Sequence, residues 1–178
     1  MMIAIASKAG GYDPWATYVY AREEARRRGD RRVGTEHVVL GLLREPEIAQ
    51  VLGCDLGAAR EALDAMDCDA LVAVGIDTPL GAPPVPTREP ALGGRRTSLK
   101  TVMADRLPMT PVGKRVLEAA GKDVRPGRWD PRRILIALLS LTAPDPGAVL
   151  LDALDVDRAG VGARLGEAID GPKARDGR

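Results

Sequence analysis

The chain has a single histidine, His37, which closes a Gly-Thr-Glu-His tetrad between a basic turn and the apolar run VVLGLL. A carboxylate beside an imidazole is the smallest kit for general acid–base chemistry, because histidine changes charge near neutral pH. No spacing in the chain completes such a site. Zinc on a helix needs a His-Glu-x-x-His pattern or a cysteine cluster, and proteolysis needs a nucleophile held by a positioned base. Cys54 and Cys68 lie fourteen residues apart without a CxxC pair, so neither a metal site nor a disulfide framework is indicated, and a reducing cytosol fits. The stretch TPVGKRVL from Thr110 contains a Gly-Lys pair but lacks the upstream glycine of a phosphate-cradling GxxxxGK[ST] loop. No catalytic residue, metal or cofactor is therefore expected. Glu36 at a helix start also favours the helix dipole without any ligand, and His37 fits a packed, locally hydrogen-bonded role, so both uses of the pair stay open.

These residues must be held by helices. Aromatic residues make up 3% of the chain with no Phe, so the core has to be built from Ala, Val and Leu, a composition that favours an all-α fold. A first helix is expected from Pro14, capped by Asp13 and ended by Gly29, with Glu23 and Glu24 each four residues before an arginine as surface pairs. Thr35 is expected to cap a second helix whose Val38, Val39, Leu42 and Leu43 form one apolar stripe. A short helix follows over Pro46 to Leu52. Asp55 then caps a fourth, which ends near Asp67 and is followed by a brief helical turn at DALVAVGID.

Proline and glycine concentrate from Thr78 to Pro108, which reads as a linker whose last part, Leu99 to Leu107, regains some helix. Beyond it MTPVGKRVLEAA opens with Thr110 as cap, DPRRILIALLSL is a second capped apolar helix, and Leu154–Asp157 (LDVD) stands where Leu52–Asp55 (LGCD) stood. Two copies of a four-helix unit account for this with least effort. The units span 12–77 and 109–170, joined by 78–108 and followed by a polar tail at 171–178. A net charge of +1 gives no field to draw the protein onto nucleic acid or an anionic membrane. MMIAIASKAG lacks the basic region of a signal peptide, and no apolar span is long enough to cross a bilayer, so a cytoplasmic location is expected.

The quoted motifs resemble the Clp N-terminal (Clp R) repeat domain, the substrate- and adaptor-receiving module at the front of ClpC and ClpA type unfoldases. The resemblance rests on AREEARRRG followed by VGTEHVVLGLLREPE, on LGCDLGAAREAL, and on MTPVGKRVLEAA opening the second repeat. It implies two pseudosymmetric four-helix units packed together, acting on protein substrates or adaptors without ATP hydrolysis. In family members that serve arginine-phosphate-tagged degradation, the tetrad Glu meets the guanidinium of phosphoarginine while helix-start groups hold the phosphate. Carried over, this makes Glu36, Thr35 and Thr110 the candidate binding residues. The second repeat is degenerate: WDPRR replaces its tetrad, with Arg132 opposite Glu36 and Arg133 opposite His37, which implies one tag site. Trp129 and Arg132 are candidates for a partner surface. Trp15, Tyr18 and Tyr20 are expected to fill the core, with a peptide groove as the alternative. The rival to a substrate receiver is a structural or regulatory helical module that has lost its peptide site.

Overall fold

The computed structural model describes residues 14–76, 107–119 and 130–169. Among the described residues all regular elements are helices: α1 (Pro14–Arg28), α2 (Thr35–Leu42), α3 (Pro46–Leu52), α4 (Leu56–Ala73), α5 (Pro111–Ala119), α6 (Pro131–Leu139), α7 (Pro146–Ala153) and α8 (Arg158–Ile169). The all-α expectation holds for them. Asp13, the linker from 78 to 106 and the tail from 171 lie outside the described residues.

Local chemistry sets most boundaries. Aspartates cap four helix starts by accepting free backbone N–H groups: Asp55 from Ala58, Asp130 from Arg132, Asp145 from Gly147 and Ala148, and Asp157 from Gly160. In α6 and α7 a proline follows the cap, where its missing N–H costs nothing. α1 stops at Gly29, whose φ of +78° lets Asp30 N–H reach back to Ala25 and Gly29 N–H to Arg26. α4 runs past its expected end near Asp67 and absorbs the separate turn, because no glycine or proline interrupts the chain before Gly75. There a second left-handed glycine, φ +81°, closes it in the same manner.

The core gathers around α2. The sequence suggested one apolar stripe on this helix, yet Leu40 and Gly41 are buried as fully as Val38 and Leu42. The reason is that α1, α4, α5, α6 and α7 all pack against it, and a helix enclosed on every side has no solvent face to leave polar. Gly41 permits the close approach of α1, since a Cβ there would lie 2.9 Å from the Thr17 carbonyl oxygen and the Ala21 nitrogen. α6 is the second hub, touching α2, α5, α7 and α8 through Ile134, Leu135 and Leu138.

Charges tie the outer helices down. Glu24, expected in a surface pair with Arg28, is instead buried and accepts hydrogen bonds from Arg27, Arg44 and Arg60. Arg28 turns the other way, to Asp30, Asp64 and Asp67, and so joins the end of α1 to α4. Arg44 lies 4.7 Å over the Tyr20 ring. Of the aromatics expected in the core, Tyr18 is buried and donates to the Leu107 carbonyl at 3.0 Å, whereas its ring neighbour Trp15 stands 43% exposed.

Candidate functional site

The residues just before α2 and α5 run parallel and bond to each other. Val33 N–H donates to the Pro108 carbonyl and Thr110 N–H to the Val33 carbonyl, both at 2.9 Å, which forms an isolated bridge between Val33 and Met109. The next residues along the two strands of this bridge are Gly34 and Thr110. Helix starts that are some 75 residues apart in the chain therefore lie side by side, and Thr35, Glu36 and Thr110 belong to one neighbourhood.

Each of them does something the sequence left partly hidden. Thr35 does not cap its own helix, because Gly34, in extended conformation, holds the cap position and places Thr35 one residue inside. Its hydroxyl serves the other half of the chain instead. It donates to Asp145 at 2.7 Å and accepts from Gly147 N–H at 3.0 Å, joining the start of α2 to the start of α7. Thr110 does cap its helix, accepting from Gly113 N–H at 3.2 Å. Thr110→Ala is accordingly expected to cost about 1 kcal/mol in urea denaturation, and a variant as stable as the parent would show the cap to be idle.

His37 occupies the third position of α2, and its Nδ1 takes the Gly34 N–H at 3.1 Å, the part a Glu or Gln plays in a capping box. Its Nε2 lies 2.9 Å from Asp30. The ring is 1% exposed. Glu36 folds back over Gly34 with Oε1 at 2.9 Å from the same Nδ1, while Oε2 is buried with no hydrogen-bond partner. Burial pushes the Glu36 carboxyl up, but the bond from His37, the charge of that ring and the charge of Arg28 outweigh it and bring the group below its ordinary value. Glu36 is thus a charged group turned inward and only half satisfied.

No family model and no curated protein matches the chain. What the site can do must come from its own groups. Among the described residues no three His, Cys, Asp or Glu side chains gather to hold a metal ion, and no helix is long and apolar enough to cross a membrane. Burial first, and Asp55 second, push the Cys54 thiol up, away from the thiolate form that reacts. A carboxylate beside two helix starts, one of them carrying a hydroxyl, suits a ligand with a cationic group next to an anionic one.

Arg132 holds the position in the expected second repeat that aligns with Glu36 in the first. It pairs with Glu47 of α3, so it joins the two halves of the chain. Both side chains are partly exposed, and Arg132→Ala is expected to cost less than about 1 kcal/mol, readable as a small shift in thermal midpoint. Trp129 lies outside the described residues. Asp30, Gly34 and Asp145 support the site and were not singled out from sequence; the Asp-Pro-Gly at Asp145 marks a cap, but nothing local says that it would also hold Thr35.

Proposed function

We propose that the chain is a Clp N-terminal type double-repeat module that receives protein substrates, adaptors or phosphoarginine-tagged proteins for a Clp unfoldase, with no ATP hydrolysis of its own. The observation that carries this is the Val33–Met109 bridge, which sets the tetrad's helix start beside the Thr110 helix start. A guanidinium at Glu36 and a phosphate at the helix starts and the Thr110 hydroxyl would then be met in one place. The repeat reading has support of its own. The α3–α4 and α7–α8 junctions share a left-handed residue, Gly53 at φ +71° and Asp155 at φ +54°, followed two residues later by a capping aspartate, Asp55 or Asp157. Asp155 adopts a conformation that non-glycine residues rarely take.

Titration of free phosphoarginine into the protein tests the reading. Glu36→Ala is expected to weaken binding at least tenfold, as the loss of a charge-assisted bond of about 1.5 to 3 kcal/mol requires. Equal affinity in both proteins would sink the Glu36-centred site.

A second reading has its own observation. Glu36 is bound to His37 and Arg132 to Glu47, so both residues at the matching positions of the two repeats are engaged within the chain. On that reading the module is structural or regulatory and its peptide site is lost. Absence of phosphoarginine binding by the parent, together with unchanged partners after Glu36→Ala in pull-downs, favours it.

A further inference from the structure

His37 Nδ1 has two claimants. A ring nitrogen offers one in-plane position, holding either a proton or a lone pair. Gly34 N–H at 3.1 Å needs the lone pair, whereas the Glu36 carboxylate at 2.9 Å needs a proton on the same nitrogen. Both contacts cannot be satisfied together. On the far side of the ring Nε2 donates to Asp30 in either state. The inward seat of Glu36 adds only the residue's own backbone N–H and the charge of Arg28, and its second oxygen is buried without a partner.

We infer that His37 is a positioning residue that works as a proton-operated latch on Glu36, holding the carboxylate inward when the ring is protonated and releasing it to meet a guanidinium when the ring is neutral. The guanidinium half of this statement rests on the receiver function proposed above; the latch itself does not. In the protonated state Nδ1–H donates to Glu36 and Nε2–H to Asp30, and the Gly34 amide goes unpaired. Loss of the Nδ1 proton to solvent returns the lone pair to Gly34 and sets it against the carboxylate, which then turns outward. Charged groups lie on several elements near the ring, and α5 and α6, which also pack against α2, carry Lys114, Arg115, Arg132 and Arg133. Asp30 lies in the loop after α1, Glu36 on α2 itself, Arg28 at the end of α1 acts on Glu36 and bonds Asp30, and Asp64 and Asp67 of α4 bind Arg28. Asp145, before α7, is occupied by Thr35 and its own helix start.

Because the chain has one histidine, its ring nitrogens are assigned without ambiguity in the 15N,13C-labelled protein. As pH is raised, the ring signals and the Glu36 side-chain carboxyl carbon are expected to move together, with one midpoint. His37→Asn keeps an acceptor for Gly34 but does not titrate, and is expected to remove that step from the carboxyl carbon. Asp30→Asn, at a half-exposed position that spares the core, is expected to move the shared step to lower pH. Phosphoarginine affinity is expected to rise by up to about tenfold per pH unit through the step in the parent, and to follow only the probe's own ionisation in His37→Asn. A carboxyl carbon that ignores the ring, or a step that survives in His37→Asn, overturns the latch. A shared step without phosphoarginine binding at any pH upholds the latch and removes the receiver function.

Discussion

Replacing Glu24 by alanine is expected to lower the unfolding free energy by about 3 kcal/mol. Breaking a buried ion pair from one side costs about 3 to 5 kcal/mol, because the abandoned charges keep their burial and lose their partner. Glu24 is wholly buried and serves Arg27, Arg44 and Arg60 from two oxygens, whereas the Arg44 and Arg60 side chains are 27% and 32% exposed. The arginines can therefore recover water when the carboxylate is lost, which places the cost at the low end of that range. Burial pushes the Glu24 carboxyl up, but the bonds and charges of Arg60 and Arg44 prevail and hold it below its ordinary value. A carboxyl depressed in the folded state stabilises above its unfolded value, and that contribution disappears as pH falls through the folded value. Glu24→Gln, which keeps the shape and removes the charge, should accordingly flatten the acid side of the stability curve. Urea titrations at several pH values read both effects. A loss below about 1 kcal/mol in Glu24→Ala would put this cluster in the class of surface pairs.

Glu24 also shows where a sequence stops speaking. The pairing expected from helical spacing was with Arg28, four residues on, yet Arg27, three residues on, takes the local place and Arg44 and Arg60 claim it from 20 and 36 residues away. Nothing in the pattern AREEARRR separates the buried glutamate from its exposed neighbour Glu23. The aspartate caps were legible because they are local, those at 55, 130 and 157 each acting within three residues of themselves, whereas the cap expected at Thr35 belongs to Gly34. The end of α4 was misplaced for a related reason. The composition from Asp67 to Val72 lacks apolar periodicity, but nothing there forbids a helix, and the first breaker is Gly75. At the candidate site the tetrad announced a helix start and drew attention to Glu36 and His37. The inward turn of Glu36 depends on which proton His37 carries and on Asp30, seven residues before it, and residue types alone do not encode that.

The second large effect is expected at the joint between the two halves. Gly147→Ala should cost about 2 to 4 kcal/mol, although a glycine-to-alanine change inside a helix is ordinarily stabilising. At this position an added Cβ would sit 2.8 Å from Thr35 Cβ, 2.9 Å from its hydroxyl and 3.0 Å from its carbonyl carbon. None of these is the far end of a flexible side chain. Thr35 is fixed in the first turn of α2, the most enclosed helix, so α7 must back away from α2 and lose the hydroxyl's bond to Gly147 N–H. Thr35→Val separates the two causes, since it removes the hydroxyl and leaves the space. It is expected to cost only about 1 kcal/mol, because Gly147 N–H keeps Asp145 as an acceptor at 3.0 Å. The same movement reaches the site, for Thr35 precedes Glu36 and follows the Val33 bridge to Met109. On the proposed receiver function, Gly147→Ala should therefore also weaken phosphoarginine binding severalfold under conditions where the variant remains folded, while Thr35→Val changes it less. If the two variants lose equal stability, the contact is a hydrogen bond and not a close fit, and α7 is free to shift without disturbing α2.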